Sequence, residues 1–346
     1  LVAVCITACY VLASSKVESY RQKALSMSSV RFAHVSDLHL PFEPRLSGVQ
    51  KLSKRQLSVW SWRQRQALHP PTILGALTRD LQEQQLDHVL VTGDLINFSL
   101  PGEYVQAARW LERLAPVDRI SIVPGNHDAL VPVPHGQGLG VWQRWTRGDA
   151  GWPAVHRLAD VAFIGLDSAL PTAPLLARGR LGDEQLQRLE ALLTAEGAAN
   201  HTRIVMLHHP PAAGAIGWRK ALADAPALRG VLGRCGAELV LHGHARDARL
   251  DSVAGPTEPI PCLCVPSSTA VPSRKDQGAR WHRLALLDAG GDNPRVEVEV
   301  RRWSPDAGRF TAQETFLLCL PRKPSPFGAA AGHRSPPLPT LAPARP

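Results

Sequence analysis

Two spacings of apolar residues recur along this chain and divide most of it into short strands and amphipathic helices. Runs rich in Val, Ile and Leu at 30–36, 88–92, 119–123, 161–167, 203–207 and 238–241 have the length of buried strands. Helical spacing fills several of the gaps. Pro71 opens a helix over 71–85. Gly102 and Glu103 start a second, whose buried stripe is predicted to carry Val105, Ala108, Leu111 and Leu114. Gly182 and Asp183 start a third, with Leu186, Leu189 and Leu193 at core-facing spacing before Gly197 closes it. This βαβ rhythm predicts an α/β fold. Farther on, Val296, Val298 and Val300 alternate with Glu297 and Glu299, the pattern of a half-buried antiparallel strand. With 281–287 and 310–318 it predicts a second sheet packed near the first.

Other segments lack such periods. Residues 132–151, rich in Pro, Gly and Trp, read as an irregular cap beside a site. Residues 41–70 interrupt the first strand and helix. They carry Arg45, Lys51, Lys54, Arg55, Arg63 and Arg65 against the single acid Glu43, with Val59, Trp60 and Trp62 among them. That composition fits a contact with anionic lipid, or a solvated cap helix whose tryptophans pack on the domain. Residues 1–26 read as an upstream extension before Met27, or as a weak signal- or anchor-like segment. Residues 27–320 then form one domain, and 321–346 a disordered tail rich in Pro, Ala and Arg.

Composition narrows the class. A chain of 346 residues with 44% hydrophobic and 20% charged content is an ordinary globular protein. Its formal charge of +9 suits anionic partners. The basic residues are scattered without a recognisable binding motif, so no dedicated nucleic-acid binding is expected. Six cysteines without a dense framework predict a reduced, cytoplasmic interior. Cys262 and Cys264 read as small core residues facing one side of a strand.

The strand ends carry the chemistry. Asp37-x-His39, Gly93-Asp94, Gly125-Asn126-His127-Asp128, His208-His209 and Gly243-His244 each follow an apolar run, so their polar groups would gather at one sheet edge. Asp37 and His39, two residues apart where a strand ends, can converge on one cation. Asp-x-His or Gly-Asp alone is common in turns and caps; the whole ordered set is not.

This set resembles the calcineurin-like metallophosphoesterases over residues 30–246. The resemblance implies two sheets packed face to face and flanked by helices, with the site in loops at the carboxyl ends of strands. It implies two divalent cations, fitting manganese, iron or zinc, held by Asp37, His39, Asp94, Asn126, His208 and His244. Asp94 corresponds to the bridging carboxylate, and His208 is preferred over His209 as the ligand of a His-His-Pro segment. A hydroxide between the cations would attack phosphorus, His127 would protonate the leaving oxygen, and Asp128 would orient His127. The substrate would be a small phosphoester: a cyclic nucleotide, or a lipid-linked diester or pyrophosphate.

One position departs from the family pattern. Its last motif is Gly-His-x-His, but Arg246 stands where the second histidine is expected, and a guanidinium cannot ligate a cation. Three arrangements are open. The first cation is held by fewer protein ligands; or the register shifts so that His242 and His244 both bind; or that site is empty and Arg246 faces the phosphate. The departure also motivates an alternative function, a weakened member that binds a phosphorylated ligand or partner.

Overall fold

The structure, a computed structural model, describes residues 11–12, 30–64, 66–148, 151–273, 277–287 and 294–321. The extension expected at 1–26, apart from Val11 and Leu12, and the tail expected at 321–346, apart from Pro321, lie outside the described residues, as does Arg65.

Two mixed sheets face each other. Strands β1 (Val11–Leu12), β2 (Arg31–Val35), β3 (His88–Val91) and β4 (Ile120–Ile122) belong to the first, with β11 (Arg280–Leu287), β12 (Arg295–Ser304) and β13 (Arg309–Cys319). Its order is β1-β13-β12-β11-β2-β3-β4. The second contains β5 (Ala154–Leu158), β6 (Val161–Gly165), β7 (Thr202–Met206), β8 (Leu239–His242), β9 (Arg249–Val253) and β10 (Ile260–Cys264) in the order β5-β6-β7-β8-β10-β9. The facing sides interlock through Phe32, Leu90, Phe163, Met206, Leu241 and Leu284.

Helices cover the outer sides. Helices α2 (Pro71–Glu83) and α3 (Pro101–Leu114) pack on the first sheet, and α5 (Asp183–Ala198) and α6 (Ala225–Cys235) on the second. Helix α1 (Lys54–Arg63) lies in the 41–70 insertion, and the single turn α4 (Gln143–Thr146) follows β4.

Three expectations need correction. The carboxyl-terminal strands do not build a separate sheet: β11 pairs antiparallel with β2, aligning His282 with His34, and so widens the first sheet. Strand periodicity reports which face is buried, but not which open edge a strand will join. Glu297 and Glu299 are also buried, at 7% and 9% exposure, and Glu299 is met there by Arg301 and Arg283 at 2.7 and 3.5 Å. In α3 the buried stripe is Tyr104, Ala107, Trp110, Leu111 and Leu114, while Val105 is 42% exposed. The Tyr104 hydroxyl donates to the Asp128 carbonyl and Trp110 Nε1 to Thr78 Oγ1, so polar anchors set the helix rotation.

The Trp-bearing segment after β4 also packs inward. Trp142 and Trp145 are buried in the outer core of the first sheet, and Trp142 Nε1 donates to the Tyr104 carbonyl at 2.9 Å. Cys262 and Cys264 are free, buried core residues. Among the described residues no helix is long and apolar enough to cross a membrane.

Candidate metal centre

Parallel strands β2, β3 and β4 of one sheet and β7, β8 and β10 of the other set their carboxyl ends on a common edge. The chain turns there so tightly that Asp37, His39, Asp94, His244 and Arg246 take left-handed φ values of 50°, 44°, 55°, 66° and 63°. Such backbone costs about 1–2 kcal/mol per non-glycine residue. Strain of this kind concentrates at functional sites.

Asp94 is the centre. One ligand atom from each of His39, Asp94 and His127 lies within 4.8 Å of the others, and the same holds for Asp94, His208 and His244. The shared residue is the carboxylate expected to bridge. Two glycines make its approach possible. A Cβ on Gly93 would fall 2.8 Å from His208 Nδ1, and one on Gly125 would overlap the Asp94 carboxylate and lie 2.5 Å from its amide nitrogen.

The imidazoles are aimed by main-chain carbonyls. His208 Nδ1 donates to the Thr92 carbonyl at 2.7 Å, and His244 Nε2 to the Lys220 carbonyl at 3.1 Å. With those protons placed, His208 Nε2 and His244 Nδ1 lie 3.1 Å apart and would meet as two lone pairs when both rings are neutral, and Asp94 Oδ2 lies 3.4 Å from the former. Two acceptors and a carboxylate meeting in a dry space call for a positive charge. Metal-ligating histidines are held in this way, one nitrogen on the protein and the other on the ion.

Electrostatics agree with that demand. Burial lowers the affinity of His208 for a proton, but the Asp94 carboxylate outweighs it and lifts the imidazole to about 9. His39 and His244 are held well below the usual range, chiefly by burial. Neutral imidazole is the ligating form. His39 Nδ1 and Asn126 Oδ1 are buried without a hydrogen-bond partner, so both retain coordination capacity. The residues present therefore fit two divalent cations.

Asp37 Oδ2 accepts from Ser36 Oγ at 2.8 Å and from the His244 amide at 3.0 Å, tying the first motif to the last. His209 has both ring nitrogens on protein partners, Ser168 Oγ and the Ala177 carbonyl, and its ring lies 4.5 Å behind that of His244. His242 is buried and belongs to neither three-residue group. Arg246 is near enough that its charge helps to lower His39.

Asp128 corrects an expectation. Its carboxylate accepts the amides of Asp94 and Gly125, both at 2.8 Å, and of Ile96 at 3.1 Å, so it braces the loops that carry the candidate ligands. His127 instead donates Nδ1–H to the Asn97 carbonyl at 3.0 Å. The following residue in a tight turn points away from its neighbour, and the nearest acceptor is main-chain oxygen.

Several contributors were not read from the sequence. Glu103 accepts the amides of Asn97, Phe98 and Leu100, and thereby shapes the loop that holds His127; burial pushes its carboxyl up to about 7. Ser267 Oγ and Thr269 Oγ1 donate to the carbonyls of Asp37 and Leu38, both at 2.7 Å. The ring of His69 stands edge-on to His39 at 4.9 Å, and both residues line a cleft of about 470 Å³ with Phe42 and Trp62. Only Ser267-Ser268-Thr269 after a strand, and a histidine beside two prolines, offered any signal.

The paired sheets and their shared edge of carboxylate, amide and imidazole define a metallophosphoesterase, and the chain belongs to the calcineurin-like phosphoesterase family, whose pattern it matches over residues 30–245. It is 27% identical over 279 residues to a probable cyclic nucleotide phosphodiesterase of Synechococcus sp., covering 79% of this chain and 93% of that one. Its fold is similar to that of a dimetal phosphatase from Danio rerio, with a TM-score of 0.52 and 15% identity, over 84% of this chain and 98% of that one.

Proposed function

We propose that this metallophosphoesterase hydrolyses a phosphodiester, using cations held by Asp37, His39, Asp94, Asn126, His208 and His244. The observation that carries the reading is the convergence of His208 Nε2 and His244 Nδ1 beside the Asp94 carboxylate. When bound, manganese, iron or zinc would supply Lewis acidity toward the phosphoryl oxygens and the attacking water. The chain's own residues do the rest. Asp94 takes a place in both ligand groups. His127, fixed through Nδ1 by the Asn97 carbonyl, stands next to Asp94 and His39 and protonates the departing oxygen. Arg246 adds positive charge on the His39 side.

A cyclic nucleotide is the first candidate substrate, in line with the Synechococcus relative, and a lipid-borne diester or pyrophosphate is the second. The enzyme would act in the cytoplasm. A second reading, ligand binding without turnover, is favoured by Arg246 alone. Hydrolysis of a chromogenic phosphodiester by metal-stripped protein, before and after manganese is added, tests the proposal. Restored activity that Asp94→Ala lacks is the expected result. Absence of activity with every divalent metal, together with one metal per chain at most, would favour the second reading.

A further inference from the structure

The exposed apolar side chains of this protein are not scattered. Among the described residues seven large hydrophobics are exposed, and six of them, Val49, Leu52, Leu57, Trp60, Leu175 and Trp218, fall on three segments: 49–60, 172–177 and 217–220. These segments are joined. Lys54 Nζ donates to Thr172 Oγ1 and the Leu176 carbonyl, and the Ala177 amide donates to the Arg219 carbonyl. The third segment meets the metal centre through Lys220, whose carbonyl holds His244, and the first leads on from His39. One rim around the candidate site carries all six.

Packing does not explain them. The insertion already has a small core of its own, in which Val59 meets Phe98 and Leu100 while Phe42, Leu46 and Trp62 close around it. Arg55 fastens the insertion to the carbonyls of Phe98 and Ser99. Leu52 at 91%, Leu175 at 86% and Val49 at 83% exposure are left facing water. Large apolar side chains left exposed on joined segments beside a site mark an interaction surface.

Charge identifies the partner. Across residues 41–64, 171–180 and 211–220 the only acid is Glu43, whereas Arg45, Lys51, Arg63 and Arg219 are exposed. Aliphatic tips and two tryptophans set among cations match the boundary of an anionic bilayer: the apolar ends enter the acyl region and the basic heads meet lipid phosphates. Nucleic acid would match the charge but not Val49, Leu52 and Leu175, which have no π-face on which a base can stack. We infer that this rim docks peripherally on an anionic membrane and turns the metal centre toward phosphoesters carried in lipid headgroups. The substrate half of this inference rests on the phosphodiesterase reading; the docking half does not.

Flotation of the full chain with vesicles tests it. Phosphatidylcholine vesicles are compared with vesicles containing about 30% phosphatidylglycerol, for the wild type and for Leu52→Glu/Trp60→Glu/Trp218→Glu. The wild type should float with anionic vesicles, less so as salt rises. The triple variant should bind them at least about tenfold more weakly while keeping its circular dichroism and its hydrolysis of a soluble phosphodiester. Wild-type protein that ignores anionic vesicles, or a variant that floats equally well, would overturn the inference. So would a wild-type dimer lost in the variant without any vesicle binding, or single-stranded DNA binding that the variant loses instead. Vesicle binding by protein that hydrolyses nothing would sink the phosphodiesterase reading and leave the docking surface standing.

Discussion

Two sets of buried histidines differ in the charged groups that surround them. His34, His88 and His282 lie between the sheets, and His39, His208 and His244 lie at the strand ends; all six are at most 5% exposed. Burial disfavours the charged ring in both sets. Between the sheets the charged groups that act on these rings are other histidines and arginines, and His282 is held down to about 3. At the strand ends Asp94 acts on all three rings in the other direction, and it lifts His208 to about 9. A buried histidine is therefore not by itself a ligand. What converts the second set into a candidate metal centre is one carboxylate and the carbonyls that aim the free lone pairs.

The difference can be broken most sharply at its source. Replacing Asp94 with Ala removes the shared carboxylate, and phosphodiester turnover should fall to less than about a tenth, with metal content dropping in elemental analysis. Replacing His127 with Ala should cost about a hundredfold on an alkyl diester and less on an aryl diester, whose leaving group needs no proton. Equal losses on both substrates would argue against a general acid at His127.

Crowding offers a second break. Gly125→Ala forces a methyl against Asp94, and the expected penalty of about 3 kcal/mol should appear as a lower melting temperature together with weaker metal binding.

The interior set makes a pH prediction. His282 is neutral in the fold down to about 3, while the unfolded chain takes up a proton near 6.5. The unfolded state therefore binds more protons in that window, and stability is lost as pH falls from about 6.5 toward 3. His282→Phe should remove about 2 kcal/mol of this loss at pH ~5, read from denaturant midpoints, without changing turnover at neutral pH. An unchanged pH slope would show that His282 does not titrate as described. The smallest change concerns the divergent position: Arg246→His should tighten divalent-cation binding by about tenfold in a metal titration.

Much of the site could be read from the chain because its parts are local. Asp37 and His39, or Asn126 and His127, are brought to a strand end by a few residues of backbone, and apolar runs mark those ends. The role given to Asp128 failed for a related reason. Sequence adjacency places it beside His127, but the tight turn sends its carboxylate back to the amides of Asp94, Gly125 and Ile96. Glu103 and His69 went unread because their partners, the 97–100 loop and His39, become neighbours only through tertiary packing.

By itself the sequence determined the α/β rhythm, most of the strands, the helices at 71–83, 101–114 and 183–198, the ordered candidate motifs and the substitution at Arg246. Each depends on periodicity or on residues a few positions apart. Tertiary structure decided the rest: that β11, β12 and β13 widen the first sheet, that Thr92, Asn97 and Lys220 carbonyls aim three imidazoles, and that three separate loops join into one apolar, basic rim. Those outcomes depend on which edges pair and which backbone groups meet across the fold, information that no local pattern of side chains contains.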